Sequence, residues 1–169
     1  MHFRRAVGGA HGQGFLRERG GGDVSRLILG VDPGKTGALA VFDPETLRVT
    51  CHDMPGTTRD LHEFIAGLPI IRMAVVEKPY YPPQNGPANA GRKGEAYGVL
   101  IGALQWRDIP MQEVRPVDWK KSLNVPKDKH AARQKAGEVF PDDADQWKLA
   151  KHDGRAEAAL LAWYGRKWA

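Results

Sequence analysis

Two acidic residues close short apolar runs, and their placement suggests shared work. Asp32 ends the run Leu27-Ile28-Leu29-Gly30-Val31 and is followed by Pro33-Gly34-Lys35-Thr36-Gly37. Pro and Gly stop a strand abruptly, so this carboxylate emerges from a strand end into a glycine-rich turn. A rigid strand end fixes the carboxylate, and backbone without Cβ bulk admits a phosphate closely. Glu77 closes Met73-Ala74-Val75-Val76 in the same way. The plainer alternatives are a turn Asp bonded to its own loop, and a salt bridge from Lys78 or another cation to Glu77. A buried carboxylate with no partner is costly, so either a cationic side chain or a metal ion must accompany Glu77.

A third acidic element lies in Lys151-His152-Asp153-Gly154-Arg155-Ala156-Glu157-Ala158. Asp153 and Glu157 are four apart and can share one face at a helix start. Capping and the helix dipole would account for both acids without any ion. Against that, Ala156 and Ala158 flank Glu157 with small side chains, which lets the helix lie close to a sheet and carries Glu157 toward Asp32. Asp32, Glu77, Asp153 and Glu157 together would form a hard oxygen-ligand set suited to Mg²⁺, with Mn²⁺ as substitute. Two such ions can activate a water on one side of a phosphodiester and stabilise the leaving 3′-oxygen on the other. His152 is a candidate proton shuttle or ligand, set against the commoner capping or surface role.

These acids need elements to hold them. Leu27–Val31, Gly37–Phe42 and Leu47–His52 read as three strands in a meander, separated by turn residues. Thr58–Leu68 has helical spacing in Leu61, Phe64, Ile65 and Leu68, and Ile70–Val76 is an apolar strand. Residues 79–94, rich in Pro, Gly and Asn, read as loop, and Glu95–Trp106 returns to helical periodicity. Gln112–Val114 is a fifth strand candidate, followed by short helices over Val117–Leu123 and Lys127–Val139. A last helix starts at Gly154 or Arg155 and runs to Arg166. The βββαβ order with later helices defines a mixed α/β class.

At 169 residues the chain has room for one ordinary domain and can bury a core without staples. The lone Cys51 forms no internal disulfide, and there is no zinc-type Cys/His spacing, which suits a reducing cytoplasm. No apolar run reaches the roughly 18 to 20 residues of a membrane span, so no membrane partner is expected. Residues 1–26 hold seven glycines and five arginines with few large apolar groups, and are expected to be a disordered extension of the domain at 27–169. Val24, just before the first strand, is a candidate alternative translation start. The formal charge is +5, and much of it clusters. Between 115 and 135, Arg115, Lys120, Lys121, Lys127, Lys129, Arg133 and Lys135 face only Asp118 and Asp128.

Taken together, LILGVDPGKTGALAVFD from Leu27, MAVVEKP from Met73 and KHDGRAEAALLAWYG from Lys151 resemble the RuvC-like Holliday-junction resolvases, particularly compact phage and bacterial variants. RPVDWKKSLNVPKDKHAARQKAGEVFP, between them, is similar to the segment preceding that family's catalytic helix. The resemblance spans residue 27 onward. It implies an RNase H-like fold, a mixed five-stranded sheet flanked by helices. It also implies Mg²⁺ dependence and a homodimer whose two sites cut opposing strands of a four-way DNA junction. Asp32, Glu77 and Glu157 match the family's acids. A fourth acid or His commonly stands three residues before the last one, and here that slot is Gly154, with Asp153 and His152 just ahead of it.

Tyr80 to Lys93 resembles the family's junction-core loop, with Tyr80 and Tyr81 placed to stack on unpaired bases and Arg92 and Lys93 to meet phosphates. Lys120, Lys121, Lys127, Lys129 and Arg133 are expected to form a phosphate-facing patch beside the site. An ordinary loop and a solvated helix face are the competing accounts of these two regions. Other functions are carried forward as alternatives: a nuclease for flapped or otherwise branched DNA, a non-catalytic junction binder, and an actin-like or sugar-kinase ATPase. The last is suggested by Gly30-Val31-Asp32-Pro33-Gly34-Lys35-Thr36-Gly37, although such ATPases need two domains of this kind.

Overall fold

A computed structural model describes residues 26–80, 86–126, 128 and 130–169. The expected disordered stretch therefore lies almost wholly outside the described residues, as do Tyr81, Lys127 and Lys129.

Three strands, β1 (Ile28–Asp32), β2 (Ala38–Asp43) and β3 (Arg48–Asp53), form the antiparallel meander the turn residues imply. Gly37 closes the first turn, donating its N–H to the Gly34 carbonyl at 3.0 Å. A Cβ on Gly37 would meet the Asp32 carbonyl at 2.0 Å, which leaves no room for another residue. Helix α1 (Thr58–Gly67) starts at Thr57, whose hydroxyl accepts from the Asp60 N–H at 3.1 Å. It leads to β4 (Met73–Glu77), which pairs with β1 in parallel, and β5 (Met111–Val114) adds in parallel beyond β4. The sheet order is β3-β2-β1-β4-β5. This is a mixed five-stranded sheet with helices on both faces, the RNase H-like architecture.

Alternation along each strand sends side chains to two separate cores. Leu29, Val31, Leu39, Ala74 and Val76 pack with α1 and with Leu100, Ala103 and Leu104 of α2 (Pro87–Trp106). Ile28, Ala38, Ala40, Phe42 and Val75 pack on the opposite face with α3 (Pro116–Ser122), α4 (Ala131–Val139) and α5 (Asp153–Tyr164). Asp32 and Glu77 share the parity of Ile28 and Val75, so their carboxylates belong to the α5 side.

Helix α5 is buried along most of its length and lies directly over β1. Gly30 makes that approach possible, because a Cβ there would sit 2.5 Å from the Ala162 nitrogen. The 3₁₀ segment Pro141–Trp147, which the sequence pattern does not announce, covers the outer edge of β3. Asp143 accepts from the Val49 N–H at 2.9 Å, and Gln146 accepts from the Cys51 N–H and donates to the Val49 carbonyl, both at 2.7 Å. Side-chain groups thereby satisfy an edge that would otherwise invite another strand. Arg48 holds Asp143 in place with a fork of hydrogen bonds.

Two expectations are corrected. Helix α2 begins at Pro87, so residues 87–94 are helical and Arg92 and Lys93 sit on a helix rather than a loop. Proline suits the first turn of a helix, where its missing N–H has no partner to lose. The helix runs through the glycines at 91, 94, 98 and 102, where an added Cβ would meet nothing. Helix α4 starts at Ala131, four residues later than the expected start at Lys127.

Candidate active site

Parallel pairing of β1 and β4 puts their C-terminal ends side by side at one edge of the sheet, with Val31 opposite Val76. Asp32 and Glu77 follow immediately, and α5 crosses over that edge. Carboxylate oxygens of Asp32, Glu77 and Glu157 come within 4.8 Å of one another. Among the described residues this is the one such group of acids, histidines or cysteines. All three side chains are half-buried.

Such a cluster is electrostatically unfavourable by itself. Burial pushes the Asp32 carboxyl well above its ordinary range, and the charges of Glu157 and Glu77 push it further. Glu77 is also raised, by burial first and then by Glu157, against the opposing pull of a Trp119 hydrogen bond and of Lys120. Like charges this close cannot all ionise cheaply without a cation among them. The donor set fits a hard divalent ion: oxygen ligands only, partly desolvated, held by two strand ends and a helix.

Helix α3 brings the counter-groups. Trp119 Nε1 donates to Glu77 Oε2 at 2.6 Å, and Lys120 Nζ lies 2.7 Å from Glu157 Oε1. Lys120 thus belongs to the acidic centre itself rather than to an outward phosphate patch. Lys78 does not pair with Glu77. Neighbouring strand residues face opposite sides, and Lys78 Nζ lies 3.6 Å from Glu113 Oε2.

Asp153 and His152 are not part of the three-acid group. Asp153 Oδ1 lies 2.7 Å from Arg133 Nε on α4, an ion pair by distance. Arg133, expected in the phosphate-facing patch, is paired in this way and mostly covered. His152 takes the N-cap position of α5 without a side-chain capping bond. Its pKa is lowered, by desolvation first and then by nearby Arg155 and Lys151. The slot that faces the centre is Gly154, and it is full: a Cβ there would lie 2.5 Å from the Thr36 carbonyl and 3.1 Å from Asp32 Oδ2. Arg155 anchors the same helix end to the sheet, its guanidinium donating to both Asp53 oxygens at 2.6 and 2.7 Å.

Of the remaining expected DNA contacts, Tyr80 is 74% exposed, and Lys93 and Lys121 are exposed. Arg92 donates to Asn89 Oδ1 at 2.7 Å. With Lys35 it flanks an open cleft of about 520 Å³ beside the turn after Asp32, floored by Met54, Leu61 and Val99.

No family model matches the chain, and no curated protein matches it either. Solved structures do, and they define a class of fold: that of the RuvC resolvases. RuvC of Thermus thermophilus superposes with a TM-score of 0.60 at 16% identity, covering 84% of this chain and 96% of its own. The same organism's RuvC in complex with a Holliday junction substrate gives 0.61 at 15% identity, covering 85% and 96%. At that identity the likeness is one of fold.

Proposed function

We propose that the protein is a divalent-metal-dependent endonuclease that cuts four-way DNA junctions. The observation that carries this reading is the convergence of Asp32, Glu77 and Glu157 within 4.8 Å at the ends of two parallel strands. The fold is shared with a RuvC solved on a Holliday junction, which supplies the substrate class. Bound at the three acids, two Mg²⁺ ions would provide a metal-activated water and charge stabilisation at the leaving oxygen.

The chain's own groups account for the rest. Asp32 and Glu77 offer ligands whose positions the sheet fixes, and Glu157 closes the set from α5. Lys120 offers a cation within the centre, suited to a phosphate oxygen as well as to Glu157. Lys35, Arg92, Lys93 and Lys121, with Tyr80 beyond β4, are the groups we assign to DNA contact. We further assign homodimerisation to the outer face of α2. Gly94, Gly98 and Gly102 leave that face open along successive turns, and Trp106 beside them is 67% exposed. Leu100 on the same helix is core, and the Tyr97 hydroxyl donates to Glu113 at 2.7 Å.

The deciding experiment is cleavage of end-labelled four-way, three-way, flapped and linear duplexes in Mg²⁺. Symmetric nicks in the four-way substrate are expected, and Asp32→Asn, Glu77→Gln and Glu157→Gln should each abolish cutting while retaining junction binding. Cutting that persists in these variants would defeat the assignment, and preference for flaps would redirect it to other branched DNA.

A further inference from the structure

Trp119 is fully buried, at 0% exposure, and lies in the core shared by α3, α4, α5 and the sheet. Its bulk is explained by packing, but its nitrogen is not: any large apolar side chain could fill the same volume. A buried indole N–H requires an acceptor, and here the acceptor is Glu77 Oε2 at 2.6 Å. This is a short hydrogen bond, made to one oxygen of one acid in the cluster. The residue that follows, Lys120, reaches Glu157, so α3 touches two of the three acids through adjacent side chains.

A carboxylate with an N–H locked on one oxygen is no longer free to rotate. Bidentate chelation needs both oxygens turned toward the ion, whereas single-oxygen ligation needs only one. Calcium accepts six to eight oxygens in flexible geometry and readily takes a bidentate carboxylate. Magnesium requires near-octahedral geometry and retains waters. Selectivity between the two therefore depends on how many oxygens a site offers and how freely they move.

We propose that Trp119 is a positioning residue that sets the ion preference of the acidic centre, holding Glu77 to one-oxygen ligation and so favouring Mg²⁺ or Mn²⁺ over Ca²⁺. The inference rests on the metal-binding reading given above. It deepens that reading by assigning selectivity to a residue that touches neither ion nor DNA.

The test is direct ion binding by the full-length protein without DNA. Bound Mn²⁺ is followed by electron paramagnetic resonance, and Mg²⁺ and Ca²⁺ are titrated as competitors. Trp119→Phe removes the N–H and keeps an aromatic ring. Incorporating benzothienylalanine at position 119 keeps the bicyclic shape and replaces only the N–H with sulfur, which guards against loss of folding. In both, Mg²⁺ and Mn²⁺ affinity should fall by about tenfold, the usual effect of losing a group that orients a ligand. Ca²⁺ affinity should hold or rise, so that the Mg²⁺/Ca²⁺ affinity ratio falls by about tenfold or more. Parallel weakening of all three ions, or an unchanged ratio in a variant that melts like wild type, overturns this inference alone. Wild-type protein that binds no Mn²⁺ overturns both it and the metal-dependent function.

Discussion

A methyl group on Gly30 would lie 2.0 Å from the carbonyl oxygen of Ala158, so β1 and α5 meet backbone to backbone. Real Cβ atoms do not approach so near, and the obstacle on the far side is main chain, which cannot rotate away. Gly30→Ala should therefore push α5 off the sheet and destabilise the protein by about 3 kcal/mol, at the upper end for an overpacked core. Because Glu157 is carried by the same helix, Mn²⁺ binding should weaken further than the stability loss alone explains. Urea denaturation paired with ion titration checks both, and a neutral Gly30→Ala would mean the helix has slack.

Gly154→Asp places an acid in the slot where resolvases of the resembled family commonly have a fourth ligand. The Thr36 carbonyl stands 2.5 Å from the first added atom, so the substitution should destabilise the fold by about 2 kcal/mol or more and fail to raise ion affinity. A Gly154→Asp protein that melts like wild type and binds Mn²⁺ more tightly would show that the turn after β1 can yield.

Removing charge from the centre should stabilise the metal-free protein. Asp32→Asn relieves the repulsion and desolvation that raise the Asp32 pKa, and in EDTA at about pH 7.5 it should be more stable than wild type. The sign with pH follows. A carboxyl whose folded pKa exceeds its unfolded value of about 4 binds its proton more tightly when folded. Metal-free wild type should thus lose stability as pH rises through that window, and Asp32→Asn should lose less. Adding Mg²⁺ should stabilise wild type only, with an effect that fades as protons compete at low pH. Thermal melts across pH with and without Mg²⁺ measure all of this, and an Asp32→Asn protein less stable than wild type in EDTA would contradict it.

Gly98→Leu separates the two roles of α2. In an isolated chain it should strengthen the helix by up to about 1 kcal/mol, because glycine is a poor helix residue and its Cβ has open space. In a dimer packed through that face it should weaken association by about tenfold or more, equivalent to 1.4 kcal/mol. Sedimentation equilibrium decides, and unchanged association in Gly98→Leu would move the interface elsewhere.

Much of this was legible from residue order. Apolar runs ending in Asp32 and Glu77 carried both the strand assignment and the site, because strand ends are where a sheet can present a charge without burying it fully. The small residues around Glu157 carried the helix crossing. Other features were hidden by signals that admit two physical readings. Gly86-Pro87 looks like loop chemistry, yet it also begins helices, and exposed glycines within α2 resemble breakers. Asp153 and Glu157 share a helical face by spacing, but spacing does not reveal that Arg133 on α4 waits beside one of them. Nothing in the residue pattern singles out Trp119, and only Glu77 at the end of β4 gives its indole nitrogen a purpose.

The fork from Arg155 to Asp53 joins groups 102 positions apart, and Glu157 sits two residues beyond it. The acidic centre is therefore assembled only when the last long helix has closed over a sheet whose first strands form early in the chain. A polypeptide still missing that helix carries Asp32 and Glu77 without the third acid. A centre that needs all three acids is thus incomplete in any partly formed chain, until α5 docks on the sheet.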